Sequence, residues 1–266
     1  MTTSIRFLGA AGFEIVGPSN RILIDPFLSQ SPLAPIRHEE LERPDVILVS
    51  HAAFDHLGDT AAIARRTGSP VVCGADVRMH LIDQGIPAAQ IQATIWGVVV
   101  EVAGVLVRPV ECHHWSVGER PDGSILTGTP LAFIVETEPG VRIYHYGDTA
   151  IFDMTLLGEL YAPTVGLLGC TQPAEIEDHS GAGREVTGEM SPDEAGRVAE
   201  MLGVDVAVGC HYLSHDGNTA EFAARVADHD SGGRRVAVTP DLGETLVIAA
   251  DAEREGRARL LERLPA

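Results

Sequence analysis

Several short apolar runs in this chain end directly in a histidine or an aspartate, and this arrangement is what most limits its fold. The clearest run covers residues 45–50 (DVILVS), which are followed at once by His51. An apolar run without alternation is typical of a strand that is buried on both faces. Such a strand needs a layer on each side, so the chain is expected to form a layered α/β structure.

The order of the other elements favours one domain with two mixed sheets. Further strands are predicted at residues 5–9, 13–16, 21–25, 70–73, 98–101, 105–110, 131–136, 141–146, 164–168 and 204–209. Helices are predicted at 60–66, 75–84, 191–202 and 219–227, a hairpin pair at 235–238 and 244–248, and an exposed helix at the carboxyl end. No Pro/Gly/Ser linker divides the halves, so we predict a single domain over residues 1–266, with two mixed sheets face to face and helices outside. The polar segment at about 171–190 is expected to be a loop or lid.

Composition disfavours several partners. The 266 residues include 38 acidic and 19 basic side chains, for a formal charge of −19, and every basic residue is arginine. An acidic surface repels nucleic-acid phosphates and anionic lipids, so we expect neither nucleic acid nor membrane as a partner. The four scattered cysteines form no CxxC motif, and the chain has no signal-peptide pattern, which favours the cytoplasm. A small-molecule substrate is the expected partner, with homo-oligomer formation left open.

Four groups of potential metal ligands follow predicted strands. They are His51, Asp55 and His56 in one loop, the Cys112–His113–His114 run, Asp148, and His211. Each group alone has an ordinary structural explanation, since aspartates cap helices and turns and histidines often serve as polar loop residues. Four such groups at strand ends make coincidence the weaker explanation, because imidazole and carboxylate ligands suit zinc, iron or manganese. Of the adjacent histidines at 113 and 114, one is expected to face the site and the other to lie behind it.

With these residues the chain resembles the metallo-β-lactamase superfamily, in which an HxHxDH motif is followed by a later His, a strand-terminal Asp and a final His. Four further segments are similar to the ascorbate-6-phosphate-lactonase-like branch of metal-dependent hydrolases. They are FLGAAGF (7–13), RILIDPF (21–27), GDT (147–149) and GEMSPDEA (188–195). The resemblance covers roughly residues 4 to 250 and implies a four-layer αββα sandwich with one or two divalent ions at the edge of the sheets. Zinc is the first candidate, with manganese or iron as alternatives.

The resemblance also implies a role for each ligand. His51 and His114 would serve one metal position, Asp55, His56 and His211 the other, and Asp148 would bridge them. A metal-activated water would then attack an ester, lactone, amide or phosphoester. Asp55 and Asp148 are the expected catalytic residues, with Asp55 orienting the water or receiving its proton.

One departure from the motif affects the metal count, because Ala53 stands where the second histidine is usual. Three explanations stay open. The centre holds a single ion, or a neighbour (His113, Cys112 or His145) replaces the missing ligand, or the chain is a degenerate non-catalytic member. A nuclease is a further alternative that the acidic charge disfavours. Trp115 and the segment containing His179 are candidates for shaping a substrate pocket, whereas Cys170 and Cys210 are expected in the core.

Overall fold

Two large mixed sheets carry most of the strands in this computed structural model, which describes residues 1–120, 122–171 and 189–266. The strands of the first sheet are β1 (Thr3–Gly9), β2 (Gly12–Val16), β3 (Arg21–Ile24), β4 (Val46–Val49), β5 (Val71–Cys73), β6 (Ile91–Ala93), β16 (Thr245–Ala250) and β17 (Ala258–Leu264). Their spatial order is β17-β16-β1-β2-β3-β4-β5-β6.

The strands of the second sheet are β7 (Val100–Val102), β8 (Val105–Val110), β11 (Ala132–Glu138), β12 (Val141–His145), β13 (Val165–Gly169), β14 (Val206–Cys210) and β15 (Val236–Val238). Their spatial order is β15-β14-β13-β12-β11-β8-β7. A separate hairpin consists of β9 (Ser116–Glu119) and β10 (Ile125–Gly128).

Helices cover the outer faces of both sheets. The described helices are α1 (Phe54–Leu57), α2 (Thr60–Thr67), α3 (Ala75–Asp83), α4 (Thr155–Tyr161), α5 (Pro192–Leu202) and α6 (Gly217–Asp228), with short 3-10 turns at His38–Glu40 and Ala88–Gln90. One core lies between the sheets and includes Phe7, Phe13 and Phe133, while a second joins the first sheet to α2 and α3. This arrangement confirms the predicted four-layer αββα sandwich.

The strands bring the predicted ligands to one edge of the sandwich. Strand β4 is buried along its whole length and runs parallel to β3 and β5, and β12, β13 and β14 are also parallel neighbours. Parallel strands end at the same side of a sheet, where α/β proteins gather their functional groups. The chain therefore leaves β4 at His51, β12 at Asp148 and β14 at His211 on a shared rim.

Two elements near the carboxyl end differ from the sequence predictions. The supposed hairpin at 235–238 and 244–248 is wrong, because β15 pairs with β14 in one sheet and β16 pairs with β1 in the other. The expected terminal helix is also wrong, because β17 pairs antiparallel with β16. Its Arg, Leu and Glu residues favour helix intrinsically, but pairing with an open sheet edge overrides that preference.

Part of one prediction lies outside the described residues. The loop or lid at about 171–190 includes residues 172–188, among them His179, of which the structure gives no description. The single-domain prediction stays a prediction. Within residues 1–120, 122–171 and 189–266, no helix has the length and apolar composition needed to span a membrane.

Candidate metal centre

The first ligand loop connects β4 to α1. His51 lies in this loop, Ala53 caps α1, and Asp55 and His56 lie within that short helix. His51, Asp55 and His56 are all buried, although the segment is polar. Burial of polar side chains is costly unless they find partners, so the atoms that surround them decide what the site can bind.

Four side chains form the larger of two groups of potential ligand atoms. Asp55, His56, Asp148 and His211 each offer one atom, and these atoms lie within 4.8 Å of one another. Asp148 Oδ2 lies 2.8 Å from His56 Nε2 and 3.3 Å from His211 Nε2. Asp55 Oδ2 lies 3.5 Å from the same nitrogen of His211. Two imidazoles and two carboxylates therefore converge on one small volume.

The second group has three members, His51, His114 and Asp148, also within 4.8 Å. The ring centroids of His51 and His114 are 5.0 Å apart, and His51 Nε2 lies 3.9 Å from Asp148 Oδ2. Asp148 belongs to both groups, which is the bridging position that the resemblance implies. The structure thus brings all six predicted ligands together, and their binding of metal stays a prediction.

Acceptors behind the histidines orient the rings toward this volume. The Nδ1 atom of His56 lies 2.8 Å from Asp25 Oδ2, and Nδ1 of His51 lies 3.0 Å from Ser50 Oγ. Ser50 Oγ in turn donates to Asp25 over 2.7 Å, so it is free to accept from His51. With a metal bound, these partners would hold the ring protons on Nδ1 and leave each Nε2 lone pair for the cluster, an outer-partner arrangement typical of metal-bound histidines.

His211 has a similar but looser support. Its Nδ1 atom lies 3.3 Å from the carbonyl oxygen of Thr171 and 3.5 Å from Glu189 Oε2. Burial raises the pKa of Glu189 to about 7, against the lowering effect of His211. A carboxyl group is therefore within reach of each histidine of the four-residue group.

The inward-facing atoms have no well-aligned hydrogen bond within the described part of the chain, which is the main evidence that the site fits a metal. This holds for buried His51 Nε2, Asp55 Oδ2, His56 Nε2, Asp148 Oδ1 and His211 Nε2, although the nitrogens of His56 and His211 lie close to Asp148 Oδ2. An unpaired buried donor or acceptor costs on the order of 1–3 kcal/mol, and such groups in native proteins need an explanation. Nitrogen and carboxylate oxygen atoms in this arrangement are ligands for a divalent cation such as zinc.

The electrostatics of the cluster favour a cation. Burial alone lowers the pKa of both His56 and His211, but nearby carboxylates, Asp148 foremost, outweigh it and raise each pKa well above 6.5. Burial opposes ionisation of Asp148, yet His211 and His56 hold the pKa of that carboxyl well below its ordinary value. By contrast, burial and the neighbouring His56 lower the pKa of His51. Protons on two histidines thus neutralise carboxylates that a cation could neutralise instead.

Three residues around the cluster have left-handed backbone conformations. The φ angles are 44° at Asp25, 67° at Asp148 and 70° at His211. Side chains other than glycine, asparagine and aspartate rarely adopt this region, and such strain concentrates at functional sites. In each case the conformation occurs where the chain leaves a strand and turns its side chain toward the rim.

None of the proposed replacements for the missing histidine enters either group. His113 is exposed, with Nε2 2.7 Å from Glu111 Oε1, and it stacks on Phe152 rather than lying behind the site as expected. Cys112 Sγ donates to the carbonyl of Gly147 over 3.0 Å, and burial raises the pKa of its thiol. His145 directs Nε2 to the carbonyl of Ala11 at 2.8 Å. Ala53 leaves the three-residue group without a further protein ligand among the described residues.

Several polar residues of the site were not predicted from the sequence. Asp25 is fully buried beneath His56, and Glu189 lies beside His211 within the segment that was predicted to be a lid. Tyr146 is buried, its hydroxyl has no hydrogen-bond partner among the described residues, and burial together with Asp148 raises its pKa. The signal for Asp25 was its place in the RILIDPF run, and the signal for Glu189 was its place in the GEMSPDEA run. Cys170 and Cys210 are buried, as expected for core residues.

Comparison with known proteins adds a family to this geometry. The model of the β-lactamase superfamily domain matches residues 20–212. A UPF0173 metal-dependent hydrolase of Rubrobacter xylanophilus is 39% identical over 213 residues, covering 79% of this chain and 81% of the relative. One of Thermococcus onnurineus is 40% identical over 210 residues, covering 78% of this chain and 84% of the relative.

Solved structures agree with these relatives. The metallo hydrolase Igni18 of Ignicoccus hospitalis superimposes with a TM-score of 0.71 at 25% identity, covering 93% of this chain and 98% of its own. The fold, the convergent histidines and carboxylates, and the sequence relatives all support one assignment. The chain belongs to the metallo-β-lactamase superfamily and is one of its metal-dependent hydrolases.

Proposed function

We propose that this hydrolase cleaves a small-molecule ester, lactone, amide or phosphoester at the four-residue group formed by Asp55, His56, Asp148 and His211. The observation that carries the proposal is the set of buried, unpartnered ligand atoms that point into one volume. A divalent cation bound there would lower the pKa of a coordinated water toward about 7 and polarise the scissile group.

The protein's own residues would divide the remaining work. His56 and His211 are oriented by partners on their outer nitrogens, so they would hold their ligand geometry without reorganising. Asp55 offers one carboxylate oxygen to the four-residue group, and its second oxygen would orient the attacking water and accept its proton. Asp148 would link the two positions, because both groups use its carboxylate.

We further propose that one ion, with zinc as the first candidate, is held tightly. The four-residue group offers four protein ligands, whereas the group of His51, His114 and Asp148 offers three and shares one of them. A second ion would therefore bind more weakly, and Ala53 is the reason. Manganese and iron accept the same nitrogen and oxygen ligands and are the alternatives.

Elemental analysis of protein purified without chelators, together with a hydrolysis panel, tests this proposal. We expect about one ion per chain and hydrolysis of at least one of an ester, a lactone, an amide and a phosphoester, lost with chelator and restored by metal. His56→Ala should remove both metal and activity. His113→Ala is the matched control, since this exposed histidine pairs with Glu111 outside both groups. A protein that takes up no ion, or that hydrolyses none of the panel when loaded, contradicts the proposal.

The Ala53→His variant tests the ion count separately. A third imidazole beside His51 and His114 should raise the metal content toward about two ions per chain. An unchanged content in Ala53→His would show that the alanine does not limit the second position.

A further inference from the structure

The hairpin β9–β10 rises from the rim of the metal centre. It begins two residues after His114 and is outside both large sheets. Its base is bonded to the first ligand loop, because Ser116 Oγ accepts from the amide of Ala52 over 3.0 Å. Three residues after β10 returns to this base, the amide of Leu131 donates to the carbonyl of Ser50 over 2.9 Å. The position of the hairpin relative to the cluster is therefore fixed.

One face of the hairpin is anchored along α3. The Ser116 hydroxyl donates to Asp76, and the Arg120 guanidinium pairs with Asp83 at 2.7 and 2.9 Å. Asp76 and Asp83 are seven residues apart and share a helix face, while Ser116 and Arg120 share a strand face. Four residues of a strand span about 13 Å and seven of a helix about 10.5 Å, and the long Arg120 side chain covers the difference between the two spacings.

Glycines allow the close approach between these anchors. A Cβ atom on Gly118 would lie 2.1 Å from His80 Nε2, and one on Gly128 would lie 2.1 Å from Asp76 Oδ1. Both helix side chains are buried, so they have little room to move away. An isolated two-stranded hairpin is marginally stable, and this one is held by its packing on α3.

The other face of the hairpin is exposed, and its apolar side chains are Val117 and Ile125, which lie beside Glu119 and Thr127. Trp115 is 58% exposed, Val117 44% and Ile125 57%. Val117 and Ile125 lie on the face opposite the anchors, because they alternate with Ser116, Gly118 and Leu126 along paired strands. The face continues into the metal centre, since the ring centroid of Trp115 is 6.0 Å from that of His114. Exposed apolar side chains next to a site commonly bind a ligand.

We propose that the apolar face formed by Trp115, Val117 and Ile125 binds an acyl-chain or aryl group of the substrate while the scissile bond lies at the cluster. This inference rests on the proposed function. The substrate is the occupant because the face starts at Trp115, the residue next to His114, and because the base of the hairpin is bonded to the first ligand loop. A neutral apolar group is also compatible with the charge of −19, which repels polyanions.

Calorimetric titration of the metal-loaded protein with acetohydroxamate, butyrohydroxamate and octanohydroxamate tests the proposal. In the unmodified protein we expect affinity to increase about two-fold per added methylene, as half-burial of the chain requires. In the double variant Trp115→Ala/Ile125→Ser the dependence on chain length should disappear, with metal content retained. Leu156→Ser is the matched control, because Leu156 is 61% exposed on α4. It should keep the full dependence.

Several results would overturn the proposal. They are equal affinities for all three hydroxamates, no binding of any of them by the loaded protein, or persistence of the dependence in the double variant. A change in oligomeric mass of the double variant by light scattering would identify the face as a contact between copies instead. The proposed function can fail on its own. If the loaded protein prefers long hydroxamates but hydrolyses no compound of the panel, the hydrolase proposal is contradicted and the apolar face is supported. Hydrolysis of acetyl and octanoyl esters at equal kcat/KM contradicts only the apolar face.

Discussion

Replacing Asp25 by asparagine should weaken metal binding without unfolding the protein. The Asp25 carboxylate is fully buried and accepts three hydrogen bonds, from the Ser50 amide at 2.8 Å, the Ser50 hydroxyl at 2.7 Å and His56 Nδ1 at 2.8 Å. Asparagine preserves the volume and tolerates the φ of 44° at this position. Asparagine offers one acceptor oxygen instead of two. Its NH₂ group must therefore face a donor that the second carboxylate oxygen of Asp25 had accepted from.

The size of the effect follows from the bond that is lost. The oxygen of the introduced amide can retain either the Ser50 amide or His56, and a hydrogen bond to a charged acceptor contributes about 1.5–3 kcal/mol. Loss of an outer partner of a metal-bound histidine typically costs about 10–100-fold in metal affinity, or about 1.4–2.7 kcal/mol. We therefore expect the metal Kd of Asp25→Asn to rise about 10–100-fold, as measured by competition with a chromophoric chelator.

Asp45→Asn is the matched control, because Asp45 Oδ2 accepts from the Arg21 amide at 2.8 Å near the other end of β4, and no hydrogen bond or ion pair joins it to a histidine of the described chain. Its metal Kd should be unchanged. Our reasoning is refuted if Asp25→Asn folds and binds metal within about two-fold of the unmodified protein, or if Asp45→Asn weakens binding equally.

Three further outcomes are expected. Gly118→Ala should lose about 1–3 kcal/mol of unfolding free energy in urea, because the new Cβ overlaps buried His80. Asp148→Asn should weaken metal binding by more than about 100-fold in an equilibrium assay, since the proposed ligand that both groups share is lost. The folded-state pKa values of His56 and His211 lie above 6.5, so their contribution to the stability of chelator-treated protein is complete below pH 6.5. It is lost as pH rises through those values, and thermal melts should record a falling Tm.

Controls separate these effects from general damage. Gly217→Ala places a Cβ where nothing lies within 4 Å, so it should leave stability nearly unchanged. An Asp148→Asn variant that still retains its ions during dialysis would contradict the bridging role. The Tm decline with pH should shrink once metal is loaded, because metal-bound histidines have no proton to lose. A Tm that rises above pH 6.5 in the metal-free protein would show the opposite sign of linkage.

Local patterns predicted the rim of the site well. His51 follows an uninterrupted apolar run, and β4 forms there with every residue buried, so strand, edge and ligand could all be inferred from adjacent residues. The same holds for α5, whose Ser191 cap accepts from the Glu194 amide as the sequence predicts. Both are short-range features, determined by burial and capping within a few residues.

Long-range partners could not be inferred in this way. Asp25 and His56 are 31 residues apart, and their hydrogen bond exists only because β3 and β4 are parallel neighbours. The β17 segment reads as a helix by composition and becomes a strand only through pairing with β16. The hairpin was missed because its contacts with α3 lie outside any local window.

The left-handed backbone at Asp25, Asp148 and His211 has a consequence for how mutations at this site are detected. Asparagine and glycine fit φ angles of 44° to 70° at least as well as the present residues do. Replacement of either aspartate by asparagine would relieve backbone strain and keep the side-chain volume while removing a ligand or its support. Such a variant would pass a selection that scores expression, and only a metal or turnover measurement would reveal it. A lineage could therefore lose its chemistry here while its proteins continued to fold normally.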